Sequence, residues 1–152
     1  MTMMDTMEWG HSLEAEQSVL GALLIDNGAL DLIADVIAER DFYLGAHRRI
    51  FAAIARMVDT ARVADLLTVS EYLEREDARV FSEMGGTRYL GELQQNVPST
   101  LNVRRYAEIV RERSMARRLF QACTEVQESV VGRRGREVWE VVDQAEQKIL
   151  AV

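Results

Sequence analysis

The chain has 152 residues, 48% apolar and 28% charged, with a formal charge of −7, a composition that suits one soluble domain with a core of its own and excludes a wholly disordered chain. No apolar run approaches the eighteen or so residues of a membrane span, and the start MTMMDTMEWGHS has neither the basic nor the apolar region of a secretory signal. A single cysteine, Cys123, excludes an intramolecular disulfide and makes the cytoplasm the default compartment.

Residues 1–11 show no periodicity and are expected to form a tail. Ser12 is placed to cap a first helix, with Glu14 and Glu16 in its opening turn and Val19, Leu20, Leu23 and Leu24 as its buried side. Asp26-Asn27-Gly28 ends it with turn chemistry. Leu30, Ile33, Ala34 and Ile37 then keep i, i+3, i+4, i+7 spacing, which predicts a second short helix. A connector with aromatic anchors, Arg40 to Gly45, leads to a third helix that opens at His47 and buries Ile50, Phe51, Ile54, Ala55 and Val58. Thr60 to Asp65 breaks the pattern.

Thr68 and Glu71 stand as a capping box, which predicts a fourth helix over Val69–Glu76. Asp77 to Met84 reads as irregular. Gly85-Gly86 permits a turn before a fifth helix carrying Tyr89, Leu90 and Leu93. From Pro98 to Val131 there is no internal glycine or proline, so one helix of about 45 Å is possible. Its buried side changes midway. Val103, Tyr106, Ala107 and Val110 define one face, whereas Met115, Ala116, Leu119, Cys123, Val126 and Val130 define another, roughly 180° away. Such a helix must pack against two different things.

Gly132-Arg133-Arg134-Gly135 is a short reversal. The last helix, from about Glu137, aligns Val138, Val141, Val142, Ala145 and Ile149, and the second face of the long helix is its expected partner in an antiparallel hairpin. Trp139 and Leu150 fall beside that stripe on a common edge, which a second chain would cover. No strand pattern of convincing length occurs. The expected fold is all-α: a small globular multi-helix head over residues 12–112, then a helical hairpin over 113–152.

Charge is unevenly spread. Residues 1–100 hold 8 Arg against 17 acidic residues, and residues 101–152 hold 9 Arg and one Lys against 8. Arg104, Arg105, Arg111, Arg113, Arg117 and Arg118 could form a footprint for phosphate. They are spread around the helix with Glu108 and Glu112 interleaved, so a solvated, ion-paired face is favoured. The only lysine, Lys148, is followed by Ile149, so no phosphate loop of the G-x-x-x-x-G-K-[ST] kind exists. Gly85-Gly86-Thr87-Arg88 reads as a plain turn. His11 and His47 lie in no metal-binding array, His47 reads as a helix-start residue with a satisfied ring, and Cys123 reads as a small buried thiol. No catalytic residue, metal ligand or cofactor site emerges.

Five strings in order carry a family resemblance: EAEQSVLGALLIDN (Glu14–Asn27), DFY with AHRRIFAAI (Asp41–Ile54), DLLTVSEYLE (Asp65–Glu74), GGTRYLGEL (Gly85–Leu93) and VPSTLNVRRYAEIVRER (Val97–Arg113). Together they resemble the amino-terminal domain of the DnaB-type replicative DNA helicase. The resemblance implies a head and hairpin, pairing of hairpins into dimers and a trimer of dimers as a collar on a hexameric ring. It also implies docking of the carboxy-terminal domain of a DnaG-type primase, with a helicase loader as a further partner. An ATP- and Mg-dependent 5′-to-3′ motor would lie in a separate domain, so this segment would hold no cofactor, would not itself be an enzyme and would meet DNA only through the parent ring. On this reading the candidate dimer interface is Leu119, Val126, Trp139 and Leu150. The candidate primase-docking tip is Val130, Val131, Arg133 and Arg134, chosen on exposure and position. The rival readings are a free-standing all-α nucleic-acid-binding regulator that uses the Arg-rich helix, and an enzyme with an unrecognised site.

Overall fold

A computed structural model describes residues 9–152. Those residues form eight α-helices and no strand: α1 Leu13–Ile25, α2 Ala29–Ile33, α3 Gly45–Asp59, α4 Leu66–Glu76, α5 Ala78–Glu83, α6 Gly86–Gln95, α7 Val103–Val131 and α8 Val138–Leu150. The all-α head and hairpin expected from the sequence are present. The expected tail falls in two parts. Residues 1–8 lie outside the described residues, while Trp9 to His11 are packed onto α7.

The hub of the head is α1. Ser12 caps it by accepting the Ala15 N–H at 3.3 Å. Ala15, Glu16 and every residue from Ser18 to Leu24 are buried, so the helix is enclosed by α2, α3, α6 and α7 and is not covered on one side only. Gly21 makes this crowding possible, because a Cβ there would collide with the Leu93 carbonyl of α6 and with Val97. Its contribution is close helix approach.

α3 opens at Gly45, two residues before the expected His47, and three further differences from expectation each have a local reason. α2 stops at Ile33, and the chain reaches Val36 and Ile37 through turns that bury both while Ala34 stays exposed. α4 begins at Leu66, because Asp65 is the cap: its Oδ1 accepts the Thr68 N–H at 2.9 Å and its own N–H donates to Thr68 Oγ1 at 2.8 Å. Thr68 is therefore the third residue of the box and not its start. Asp77 caps α5 through the Val80 N–H at 3.1 Å, and Phe81 buries itself, so the segment read as irregular is a short helix. Gly85 has φ of 110°, the left-handed conformation that a paired-glycine turn requires.

α7 starts at Val103, after a 3-10 turn at Thr100–Asn102 held by Ser99, and spans 29 residues, about 43 Å. Val103, Ala107 and Val110 enter the head core. Beyond them the packing changes abruptly. Among the described residues, the only buried apolar side chains of the hairpin are Ala122 on α7 and Val141 on α8. Helix α8 packs substantially on α7 alone.

Candidate interaction surface

The root of the hairpin is built from guanidinium groups and backbone carbonyls. Arg111 donates to the Val36 carbonyl at 2.8 Å, Arg113 to the His11 carbonyl at 2.9 Å, and Arg117 to the Gly10 and Asp41 carbonyls, the latter at 3.0 Å. Arg104 pairs with Asp35 at 3.1 Å, which holds the Asp35 carboxyl below its ordinary value. Arg118 reaches Asp41 at 3.5 Å on the head and the Val152 carbonyl at 3.2 Å just beyond α8. Asp41 is itself buried, with Ser114 donating to it at 2.8 Å and the Ala38 N–H at 2.8 Å. The arginines therefore fasten the long helix to the head. They do more than keep it solvated, and they do not converge on an open phosphate-sized site.

The two hairpin helices meet through small and polar groups. Lys148 pairs with Glu125 at 3.0 Å, which holds the Glu125 carboxyl below its ordinary value, and Ala122 is buried on the same side of α7. This overturns, for Met115, Leu119, Cys123 and Val130, the expectation that α8 would cover the apolar face of Met115, Ala116, Leu119, Cys123, Val126 and Val130; Ala116 and Val126 are half-buried. At 100° per residue that face lies to the side of the Ala122 contact. Met115, Leu119 and Val130 remain at 40%, 45% and 47% exposure, and Cys123, expected buried, is exposed. Interhelical contact through Ala122 and Lys148 turns the larger side chains outward.

The candidate interface residues fall at two levels. Val126 and Leu150 line one shallow apolar groove between the helices, together with Cys123, Val142, Ala145 and Ile149. Leu119 lies beside it, one turn nearer the head. Trp139, 64% exposed, shares an edge of α8 with Leu150 but stands eleven residues away, about 16 Å along the axis. It belongs with the tip. There Val130, Val131, Arg133 and Arg134 are all exposed, and Arg134 takes a φ of 47° in the reversal. The sequence reading missed Phe120 and Trp9. Their rings meet at 4.9 Å between centroids. Phe120 falls one residue off the apolar stripe, and Trp9 precedes any periodic segment; an aromatic residue in an otherwise unpatterned tail was the available signal.

Within the head, His47 is fully buried between Glu16 and Tyr89, at 2.8 and 2.6 Å. Burial raises the Tyr89 hydroxyl above its ordinary value, while Gln17 donates to it. His47 thus has both ring nitrogens satisfied, as expected, and serves the core. No group of three His, Cys, Asp or Glu able to hold a metal ion occurs among the described residues. None of the described helices is long and apolar enough to cross a membrane.

Comparison with known proteins places this architecture. Residues 9–112 match the family described as "DnaB-like helicase N terminal domain". The replicative DNA helicase DnaB of Pasteurella multocida is 40% identical over 142 residues, which cover 93% of this chain and 30% of that protein. The DnaB of Geobacillus stearothermophilus is 39% identical over 141 residues, with the same coverage. The chain thus spans about 30% of the length of these curated relatives. The crystal structure of the N-terminal domain of DnaB helicase from Mycobacterium tuberculosis superposes with a TM-score of 0.88 at 36% identity, covering 94% of this chain and 99% of that one. A DnaB-like replicative helicase solved for its interactions with primase shares the fold, with a TM-score of 0.70 at 22% identity, over 91% of this chain and 31% of that one.

Proposed function

Because the chain belongs to the family of DnaB-like helicase N-terminal domains, we propose that it is the assembly and docking domain of a replicative helicase. The head, residues 12–112, is the folded body, and the hairpin, residues 113–152, projects from it to meet further copies. Leu119, Val126 and Leu150 belong to the dimer contact at the hairpin base, and Trp139 belongs to it at the tip. The tip residues Val130, Val131, Arg133 and Arg134 face the primase. Unwinding, with its ATP and Mg, belongs to a motor outside this segment, and the lack of a lysine-bearing phosphate loop supports that division. DNA and a helicase loader are met through the assembled ring, in the cytoplasm.

One observation carries this reading: ten large apolar side chains of the hairpin are exposed while only Ala122 and Val141 among its described apolar residues are buried. At roughly half exposure they leave on the order of 1,000 Å² of apolar surface, against about 800 Å² per partner in a standard interface. Charge agrees. Residues 113–152 carry seven basic and six acidic groups, whereas residues 1–112 carry a net −8; hairpins can approach each other where heads repel. The nucleic-acid-binding reading is not favoured, since Arg104, Arg111, Arg113, Arg117 and Arg118 already donate to carbonyls and carboxylates. Sedimentation of the chain over a micromolar concentration series, alone and with the carboxy-terminal domain of a DnaG-type primase, tests both parts. Self-association and a further shift on adding the primase domain are expected. A strict monomer at high micromolar concentration overturns hairpin pairing, and an unchanged profile with the primase domain overturns docking.

A further inference from the structure

The face of α7 that α8 leaves open does not stop at the hairpin. Leu119 lies about 60° around the helix from Ala122, and Phe120 about 160°, so Leu119 and Cys123 occupy the arc between the α8 contact and Phe120. Phe120, 41% exposed, meets Trp9 at its outer edge. Trp9 is only partly covered. It reaches this place on a fixed backbone: Arg113 holds the His11 carbonyl, and Arg117, one turn on, holds the Gly10 carbonyl. His11 is stacked on Tyr43 at 4.3 Å, and Arg117 lies over the same ring at 5.3 Å. Arg113, Arg117 and Phe120 fall at i, i+4, i+7, so the strap climbs α7 along one stripe.

The result is an apolar trough on α7. Cys123 shares a groove with Ile149 and Leu150 of α8, Leu119 lies one turn nearer the head, and the Trp9–Phe120 pair bounds the arc on the other side. We propose that Trp9 is an anchor of the surface that receives a second copy of this chain, so that the interface comprises the N-terminal strap as well as the hairpin. The occupant follows from the area and the near-neutral charge given above, and the proposal rests on hairpin pairing. Side-chain entropy favours the assignment. A tryptophan whose backbone is already pinned loses little freedom on association, and such residues carry a disproportionate share of interface energy.

The test labels the 152-residue chain with 5-fluorotryptophan, which gives one ¹⁹F resonance for each of Trp9 and Trp139; Trp9→Phe assigns them. The Trp9 resonance is expected to shift with protein concentration at the midpoint seen by sedimentation, and Trp9→Ala is expected to weaken association at least tenfold with the melting temperature little changed. A chain that associates while the Trp9 resonance stays constant, or while Trp9→Ala associates as tightly as the parent, overturns this inference and leaves hairpin pairing standing. A chain that never associates overturns hairpin pairing and this inference with it.

Discussion

Glu16 Oε1 lies 2.8 Å from Nδ1 of His47, and the two side chains are sealed inside the head at 1% and 0% exposure. The other carboxylate oxygen accepts the Tyr43 N–H at 2.9 Å, so α1, α3 and the connector between them are joined at one buried carboxylate. Removing a partner from such a site leaves polar groups unpaired where water cannot replace it. Glu16→Ala is therefore expected to destabilise the head by about 3 kcal/mol, and Glu16→Gln, whose single amide oxygen can still accept the Tyr43 N–H, by less. Urea unfolding measures both. A loss below about 1 kcal/mol for the alanine variant would show that the network contributes little.

Gly21 sits where α1 and α6 touch. A methyl group there would meet the Leu93 carbonyl and Val97, and backbone on one side cannot yield as a flexible side chain would. Gly21→Ala should cost about 1–3 kcal/mol through overpacking, despite the better helix propensity of alanine. Thermal unfolding that is unchanged or improved would contradict this.

Asp65 caps α4, and its hydrogen bonds to the Thr68 N–H and hydroxyl hold its carboxyl below the ordinary value of 3.8. A lowered folded value means that the ionised form stabilises the native state: the contribution is complete above the ordinary value and is lost as pH falls through the lower folded one. Asp65→Ala is expected to cost about 1 kcal/mol at neutral pH. The difference between parent and variant should shrink below pH 4. A difference that is constant down to pH 2.5 would show that the carboxylate charge is irrelevant to the cap.

Trp139 is 64% exposed near the hairpin tip, and the exposed thiol of Cys123 lies in the trough at its base. Trp139→Ala is expected to weaken self-association, read by sedimentation, by more than it weakens the fold, read by unfolding. Cys123 should react readily with a thiol reagent at low concentration and become protected as the chain associates. Equal loss of fold and association in the variant, or a labelling rate independent of concentration, would remove these positions from the interface.

The periodic segments were legible from residue types alone. Ser12 as a cap, the Leu and Val pattern of α1, the turn at Gly85 and the head-facing stripe of α7 are local consequences of spacing and backbone chemistry, and five ordered strings sufficed to indicate the family. Boundaries were less legible where two residues could serve the same cap: only the observed bonds distinguish Asp65 from Thr68. Tertiary structure alone decided that α1 is enclosed on every side, that the arginines of α7 bond to carbonyls of residues up to about a hundred positions away, and that Trp9 folds back onto Phe120. It also decided that α8 settles on the Ala122 and Glu125 side of α7, away from most of the larger apolar side chains. Spacing along a helix states which residues share a face. What lies against that face depends on contacts between distant parts of the chain, where charge pairing and close approach at small residues compete with apolar area, and that competition is settled only in three dimensions.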